Sequence, residues 1–331
     1  MKAIVLTAYK KPLELVDVPE PVVGDDDVLV AIEAAALNML DEKIRAGEFK
    51  QLLPLTLPQT LGHDFAGTVI GVGRRVSRFS IGDEVYGRPR DGRIGTFAER
   101  ISVAEADLAR KPSSIGMAEA GSLPLVALTA WQALVEVGGV RPGHKVLVHA
   151  GAGGVGTIAI QLAKHHGATV ATTVSAGNVD FVRSLGADVV IDYRSQDFER
   201  VLSGYDLVID SVGGENLAKS LRVLRRGGQA IGIAGPPEPV FAKAAGVNPL
   251  LRLAVAGLSA GVRRQAKSLG VTYRFLLMRA SGDQLRQIAA LVDDGTLRPI
   301  VGKTVSFDDA IAAIAALGKG SVRGKTVVTV P

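Results

Sequence analysis

The spacing of apolar and polar positions divides the chain into three stretches. Up to about residue 120 the apolar positions come in short runs bounded by Gly, Asp and Pro: Val28-Leu29-Val30-Ala31-Ile32, Gly67-Thr68-Val69-Ile70-Gly71-Val72, Gly82-Asp83-Glu84-Val85-Tyr86-Gly87 and Thr96-Phe97-Ala98-Glu99-Arg100-Ile101. Short strands between glycine turns predict a partly open β-barrel. The middle differs. Lys145-Val146-Leu147-Val148-His149-Ala150 is almost continuously apolar, as in a strand buried on both faces. A helical period over 155–166 follows, then a strand over 169–174, a helix over 179–185, and strands over 189–191, 205–210 and 229–233. Strands alternating with helices predict a doubly wound parallel sheet. The last thirty residues return to β, with strands at 303–305 and 324–330 around a helix at 307–317. The expected fold is therefore α/β. Residues 1–122 and 300–331 form the barrel domain, and residues 123–299 form the parallel-sheet domain inserted into it. Residues 236–274 fit no simple unit. Their basic, apolar part from 250 to 274 suits a cap over a site, a dimer contact or a helix laid on the core.

Composition changes this picture little. With 47% hydrophobic and 21% charged residues, a 331-residue chain can bury cores in two domains. Its net charge of +5 comes from Lys and Arg scattered singly among acids. That pattern favours an anionic small ligand and argues against a nucleic-acid partner. The chain has no cysteine, which excludes disulfides, thiolate metal sites and a catalytic thiol. The N-terminus runs straight into a strand pattern without a signal-peptide layout. The longest apolar stretches fall far short of a bilayer span. A cytoplasmic protein without a membrane partner is expected.

The chemistry concentrates in Gly151-Ala152-Gly153-Gly154-Val155-Gly156, which follows a buried strand and opens a helix. In that setting a G-x-G-x-x-G sequence binds dinucleotides. Gly151 makes the tight turn, Gly153 lets the backbone approach a pyrophosphate, and Gly156 lets the helix pack against the strand. The helix N-terminus offers unpaired N–H groups to the phosphates. An acid at the end of the second strand would select NAD. Here Ser175-Ala176-Gly177-Asn178 stands there instead, with Tyr193 and Arg194 after the third strand. NADPH is accordingly expected over NADH. His165-His166 reads as a helix-end pair suited to the dipole. His63-Asp64 contains a residue type that ligates zinc, but one His without a cysteine reads as structural. Asp41 and Lys43 are candidate proton donors, or more simply an ion pair. Phe49 is a candidate apolar wall for a planar substrate.

Several stretches together resemble the medium-chain dehydrogenase/reductase superfamily, in its zinc-free quinone oxidoreductase-like and enone reductase branch. They include Leu37-Asn38-Met39-Leu40-Asp41, Gly62-His63-Asp64-Phe65-Ala66-Gly67, Leu123-Pro124-Leu125-Val126-Ala127-Leu128-Thr129, the glycine motif and Gly324-Lys325-Thr326-Val327-Val328. The resemblance implies a GroES-like catalytic domain beside a Rossmann domain. It puts Asn38 where zinc-dependent members carry a cysteine ligand, and His63 at the position of their histidine ligand. It implies that Asn38 lies beside the nicotinamide and substrate and that Thr129 touches the cofactor near its nicotinamide half. Ser175, Asn178 and Tyr193 would line an adenosine 2′-phosphate pocket. Ala234, Gly235, Phe275, Leu276 and Lys325 would lie near segments closing over the cofactor. The expected activity is zinc-free hydride transfer from NADPH to a quinone or α,β-unsaturated carbonyl, with Asn38 hydrogen-bonding the carbonyl oxygen. The alternatives are an NADPH-binding sensor or partner protein without turnover, and a residual alcohol dehydrogenase acting through His63. A homodimer is implied by the same resemblance.

Overall fold

The computed structural model describes every residue except 49, 51–53, 245, 247 and 319–321, so Phe49 lies outside the described residues. The chain forms two compact units, Met1–Leu128 with Arg279–Pro331, and Thr129–Met278.

The first unit is built on the ten-residue strand Asp27–Ala36, whose inward positions Val28, Val30 and Ile32 are buried. One edge pairs antiparallel with Asp64–Val72. The other edge is shared: residues 27–31 pair with Arg100–Ala104 and residues 34–36 with Lys325–Thr329. The C-terminal strand is thereby laid next to the end of Asp27–Ala36, just before Asn38. Val301–Ser306, Glu84–Gly87 and Leu108–Arg110 complete a seven-stranded sheet, and Glu14–Asp17, Lys2–Leu6 and Gln59–Thr60 form a second, three-stranded one. Apolar side chains such as Ile4, Leu6, Val30, Phe65 and Phe97 fill one core. The strand expected at 96–101 begins instead at Arg100. Residues 97 and 98 turn back to the N-terminal strand, where Ile4 N–H donates to Phe97 O at 2.8 Å.

The helix Gly282–Asp293 also belongs to this unit, although its sequence position suggested the parallel-sheet domain. Tyr86 Oη donates to Leu285 O at 2.6 Å, and Gly282 packs on the backbone of Ala106 and Leu108. An amphipathic period reports one buried face but not which domain covers it.

In the second unit six strands are parallel throughout, in the order Val189–Asp192, Thr169–Val174, Lys145–Val148, Tyr205–Asp210, Leu224–Gly232, Thr272–Phe275. In chain order this is 3-2-1-4-5-6, the doubly wound arrangement. Five of these strands are visible in the sequence pattern. The sixth, Thr272–Phe275, is short and has only Tyr273 and Phe275 buried. It lies in the stretch that fitted no simple unit. That stretch folds as the helices Pro239–Ala244, Pro249–Leu258 and Ala260–Leu269 before the strand. Ala260–Leu269 is laid on the core, with Ala266 buried and Gln265 Nε2 donating to Ala218 O at 3.0 Å. No helix among the described residues is long and apolar enough to cross a membrane.

Candidate cofactor and active site

In the second unit the strand Lys145–Val148 ends in a turn that starts the helix Gly154–His165, with Gly153 as its N-cap. Ala150 takes a left-handed φ of 53°, and its carbonyl accepts from Gly153 N–H at 2.9 Å. The turn is too tight for side chains. A Cβ on Gly151 would collide with Thr172 Oγ1, and one on Gly156 would collide with Ala150 O and lie 2.7 Å from Gly151 Cα. A Cβ on Gly153 would meet only Ala150 O, at 3.3 Å. Thus Gly151 and Gly156 serve the fold, while Gly153 leaves one face of the turn open for a ligand to approach. The helix amide dipoles point their positive end at that face. The turn also lies where the strand order reverses, between Lys145–Val148 and Tyr205–Asp210, where doubly wound sheets bind ligands.

The other expected cofactor residues of this unit follow the C-terminal ends of parallel strands and so share one edge of the sheet. Ser175 follows Thr169–Val174, and Asn178 Nδ2 donates to its hydroxyl oxygen at 3.1 Å, leaving the Ser175 hydroxyl hydrogen free to donate outward. Tyr193 follows Val189–Asp192 and is exposed, with the Arg194 guanidinium 5.9 Å from its ring centre. Ala234 and Gly235 follow Leu224–Gly232. Gly235 packs against the Tyr273 hydroxyl, which donates to Pro236 O at 2.8 Å. Phe275 ends the strand Thr272–Phe275. Its side chain is buried edge-on to Phe241, with ring centres 4.8 Å apart, so at Phe275 it is the backbone that lies at the sheet edge. Thr129 is buried on the helix Pro124–Trp131, where the chain passes from the first unit to the second.

Under the glycine turn lies His149, fully enclosed. Its Nδ1 is 2.9 Å from Thr173 Oγ1 and its Nε2 is 2.9 Å from Ser220 Oγ. Burial pushes its pKa down from 6.5 to about 4, only partly opposed by Asp210. Because the folded form holds the imidazole neutral while the unfolded chain protonates near 6.5, the unfolded state binds more protons between those values. Stability should be fully present above pH 6.5 and fall by a few kcal/mol as pH drops towards 4. Urea midpoints measured across that range should show the slope, and His149→Asn should flatten it. An unchanged slope in the variant would remove His149 from the account.

The first unit contains a second buried polar cluster, and it gathers sequence-distant residues. Asn38, Asp41, His63, Asp64 and Lys325 are all buried. Asn38 starts the helix Met39–Arg45, and its N–H donates to Asp41 Oδ2 at 2.9 Å. The other Asp41 oxygen is 2.6 Å from His63 Nδ1. Asp41 thus faces His63 and not Lys43, which corrects the expected ion pair. Nε2 of His63 has no hydrogen-bond partner among the described residues. The Asn38 amide donates to Ala36 O at 3.1 Å and to Asp64 Oδ2 at 2.9 Å, while its oxygen accepts from the Lys325 ammonium. That ammonium also donates to Leu37 O at 2.8 Å and Asp64 Oδ2 at 3.3 Å. Leu125 N–H donates to Asp64 Oδ1 at 2.6 Å. Burial raises the Asp64 pKa, although Lys325, Asn38 and the Leu125 amide all oppose the shift. Lys325 therefore belongs with Asn38 and Asp64, a grouping the sequence did not suggest. Both Asn38 amide hydrogens are committed, so a substrate carbonyl would have to displace one of these acceptors.

The chain matches known protein families and structures. Residues 24–113 match the alcohol dehydrogenase GroES-like domain, and residues 185–328 match the zinc-binding dehydrogenase family. The mouse (Mus musculus) mitochondrial NAD(P)H oxidoreductase RTN4IP1 is 36% identical, the alignment covering 92% of this chain and 82% of that protein. The chloroplastic NADPH-dependent alkenal/one oxidoreductase of Arabidopsis thaliana is 34% identical, covering 93% and 73%. The structure of the quinone oxidoreductase from Coxiella burnetii superposes with a TM-score of 0.86 at 34% identity, covering 100% of this chain and 99% of that one. Zinc itself does not suit the residues present. No cysteine exists, and an ammonium sits on Asn38 and Asp64 where a second cation would be repelled. Among the described residues no group of three or more His, Asp or Glu side chains could hold a metal. With this fold, these matches and this site, the chain is an oxidoreductase that belongs to the medium-chain dehydrogenase/reductase superfamily, in its quinone oxidoreductase-like branch.

Proposed function

We propose that the protein reduces quinones or α,β-unsaturated carbonyls with NADPH and without zinc. The observation that carries this reading is the glycine turn, whose shape leaves a ligand-facing gap at Gly153 on a helix N-terminus. Relatives named as NAD(P)H and alkenal/one oxidoreductases support the substrate class.

In this reading Gly151 to Gly156 cradle the pyrophosphate. The Ser175 hydroxyl and Asn178, with no acid at the end of their own strand, receive the 2′-phosphate, and Tyr193 flanks the adenine. Thr129, Ala234, Gly235, Leu276 and the Phe275 backbone are assigned to the rest of the cofactor. When bound, a reduced nicotinamide supplies the hydride. The protein's part is to orient the electron-poor carbon of the acceptor and to exclude water. The proton that completes the reduction comes from solvent, because Asp41 is held by His63 and the Asn38 backbone. Asn38, held by Asp64 and Lys325, would donate to a substrate carbonyl by giving up one of its present acceptors.

Purified protein should consume NADPH faster than NADH when offered a panel of quinones and enones, read as loss of reduced-nicotinamide absorbance. Chelators should leave the rate unchanged. Cofactor binding without turnover on any acceptor would favour the sensor reading. Alcohol oxidation restored by added zinc would overturn the proposal.

A further inference from the structure

We propose that Thr173, His149, Ser220 and Asp210 form a buried positioning relay that locks the glycine turn to the neighbouring Ser211–Gly213 turn in the geometry needed to bind the dinucleotide. The inference rests on the reading that this unit binds NADPH.

One direction of the hydrogen bonds connects all four side chains. Ala150 N–H lies 3.3 Å from Thr173 Oγ1, which can only accept from it. The Thr173 hydroxyl hydrogen is then free for His149 Nδ1, making Nδ1 the acceptor. The neutral ring must therefore carry its hydrogen on Nε2 and donate to Ser220 Oγ. The single Ser220 hydrogen is then shared between Asp210 Oδ2 at 3.0 Å and Asn216 O at 2.8 Å. Asp210 ends the chain as an acceptor only. Its Oδ1 accepts from Val212 N–H at 2.9 Å and Gly213 N–H at 2.6 Å, and Asn216 Nδ2 donates to Oδ2 at 3.1 Å. The opposite tautomer would send the Nδ1 hydrogen to Thr173, leaving the Thr173 hydroxyl hydrogen without His149 as acceptor, and would draw the Ser220 hydrogen away from Asp210.

The relay connects what the cofactor must find in register. One end holds the N–H of Ala150, the residue in the left-handed conformation at the head of the turn. The other end holds the two amides that open the helix Gly214–Val223. Bonds outside the relay give partial coupling: Gly151 N–H to Thr173 O at 3.2 Å, and the Ser211 hydroxyl to His149 O at 3.3 Å. Phe198 packs edge-on to the imidazole at 4.7 Å and closes the remaining side. A non-glycine residue at positive φ persists only where its surroundings hold it, and these side chains are that surrounding.

The test uses the whole protein. Thr173→Val and Ser220→Ala each cut the relay, and Thr173→Ser keeps the hydroxyl. NADPH affinity is read by nicotinamide fluorescence well below the melting temperature, and His149 is read by ¹⁵N NMR. Each cut should raise the NADPH Kd about tenfold, through one buried group left unpaired. KM for NADPH should rise much more than kcat falls, and Thr173→Ser should stay near the parent. The His149 spectrum should show the Nε2–H tautomer. Parent-like affinity in both cut variants, or an Nδ1–H tautomer in the parent, would overturn the relay while leaving NADPH binding intact. If the parent binds neither NADPH nor NADH, the function proposed above fails first, and the relay with it.

Discussion

Lys325→Met should destabilise the first unit by about 3–5 kcal/mol, the range for leaving one partner of a buried ion pair uncompensated. The Asp64 carboxylate is fully enclosed, and Lys325 is the only cation in contact with it among the described residues. The substitution removes that countercharge. It also strips donors from Leu37 O and from the Asn38 oxygen, both buried. Adding Asp64→Leu to Lys325→Met should recover roughly half of the loss or more, because replacing both members of a buried pair with apolar groups is often neutral. Urea unfolding of the four proteins in the cycle gives the coupling directly. A Lys325→Met midpoint indistinguishable from the parent would show that Asp64 finds another way to be satisfied. The prediction matters for function as well as stability. Asn38 is held by this pair from both ends of its amide, so loosening it should also change how that side chain presents itself to a substrate.

None of this pair was visible in the sequence. Asn38 and Lys325 are 287 residues apart, and only the shared edge of Asp27–Ala36 brings them together. Periodicity reports which face of an element is buried, not which distant polar group lies against it. The same limit explains the helix Gly282–Asp293, which was legible as a helix but not as part of the first unit, and Phe275, which the structure turns into the core. The glycine turn was legible because its meaning is local: a strand, a turn without room for Cβ atoms, and a helix, all within consecutive residues. The parallel sheet was legible for a related reason. Strands buried on both faces read as continuous apolar runs, and five of six did. The sixth is too short for that pattern, and three helices precede it without a repeating spacing. His149 was passed over because a histidine at the end of an apolar run carries no sign of the two hydroxyls that hold it.

The glycine turn yields the second large effect, and its residues should separate into two kinds. Gly156→Ala adds a Cβ that collides with Ala150 O and Gly151 Cα, all backbone that cannot swing aside. The helix Gly154–His165 must move away from the strand. The expected result is a loss of stability of about 1–3 kcal/mol, the usual range for overpacking, together with a fall in NADPH affinity. Gly153→Ala meets only Ala150 O at 3.3 Å, which a few tenths of an ångström relieves. Its melting temperature should stay near the parent's. Its Cβ nevertheless projects where the backbone must come close to the pyrophosphate, so NADPH affinity should fall at least about tenfold. The contrast is the test, because a variant that folds like the parent and still loses the cofactor separates binding from folding. If Gly153→Ala binds NADPH as the parent does, the pyrophosphate does not cross the turn at that residue. The cradle must then be sought on the other turns at the same sheet edge, beginning with Ser211–Gly213.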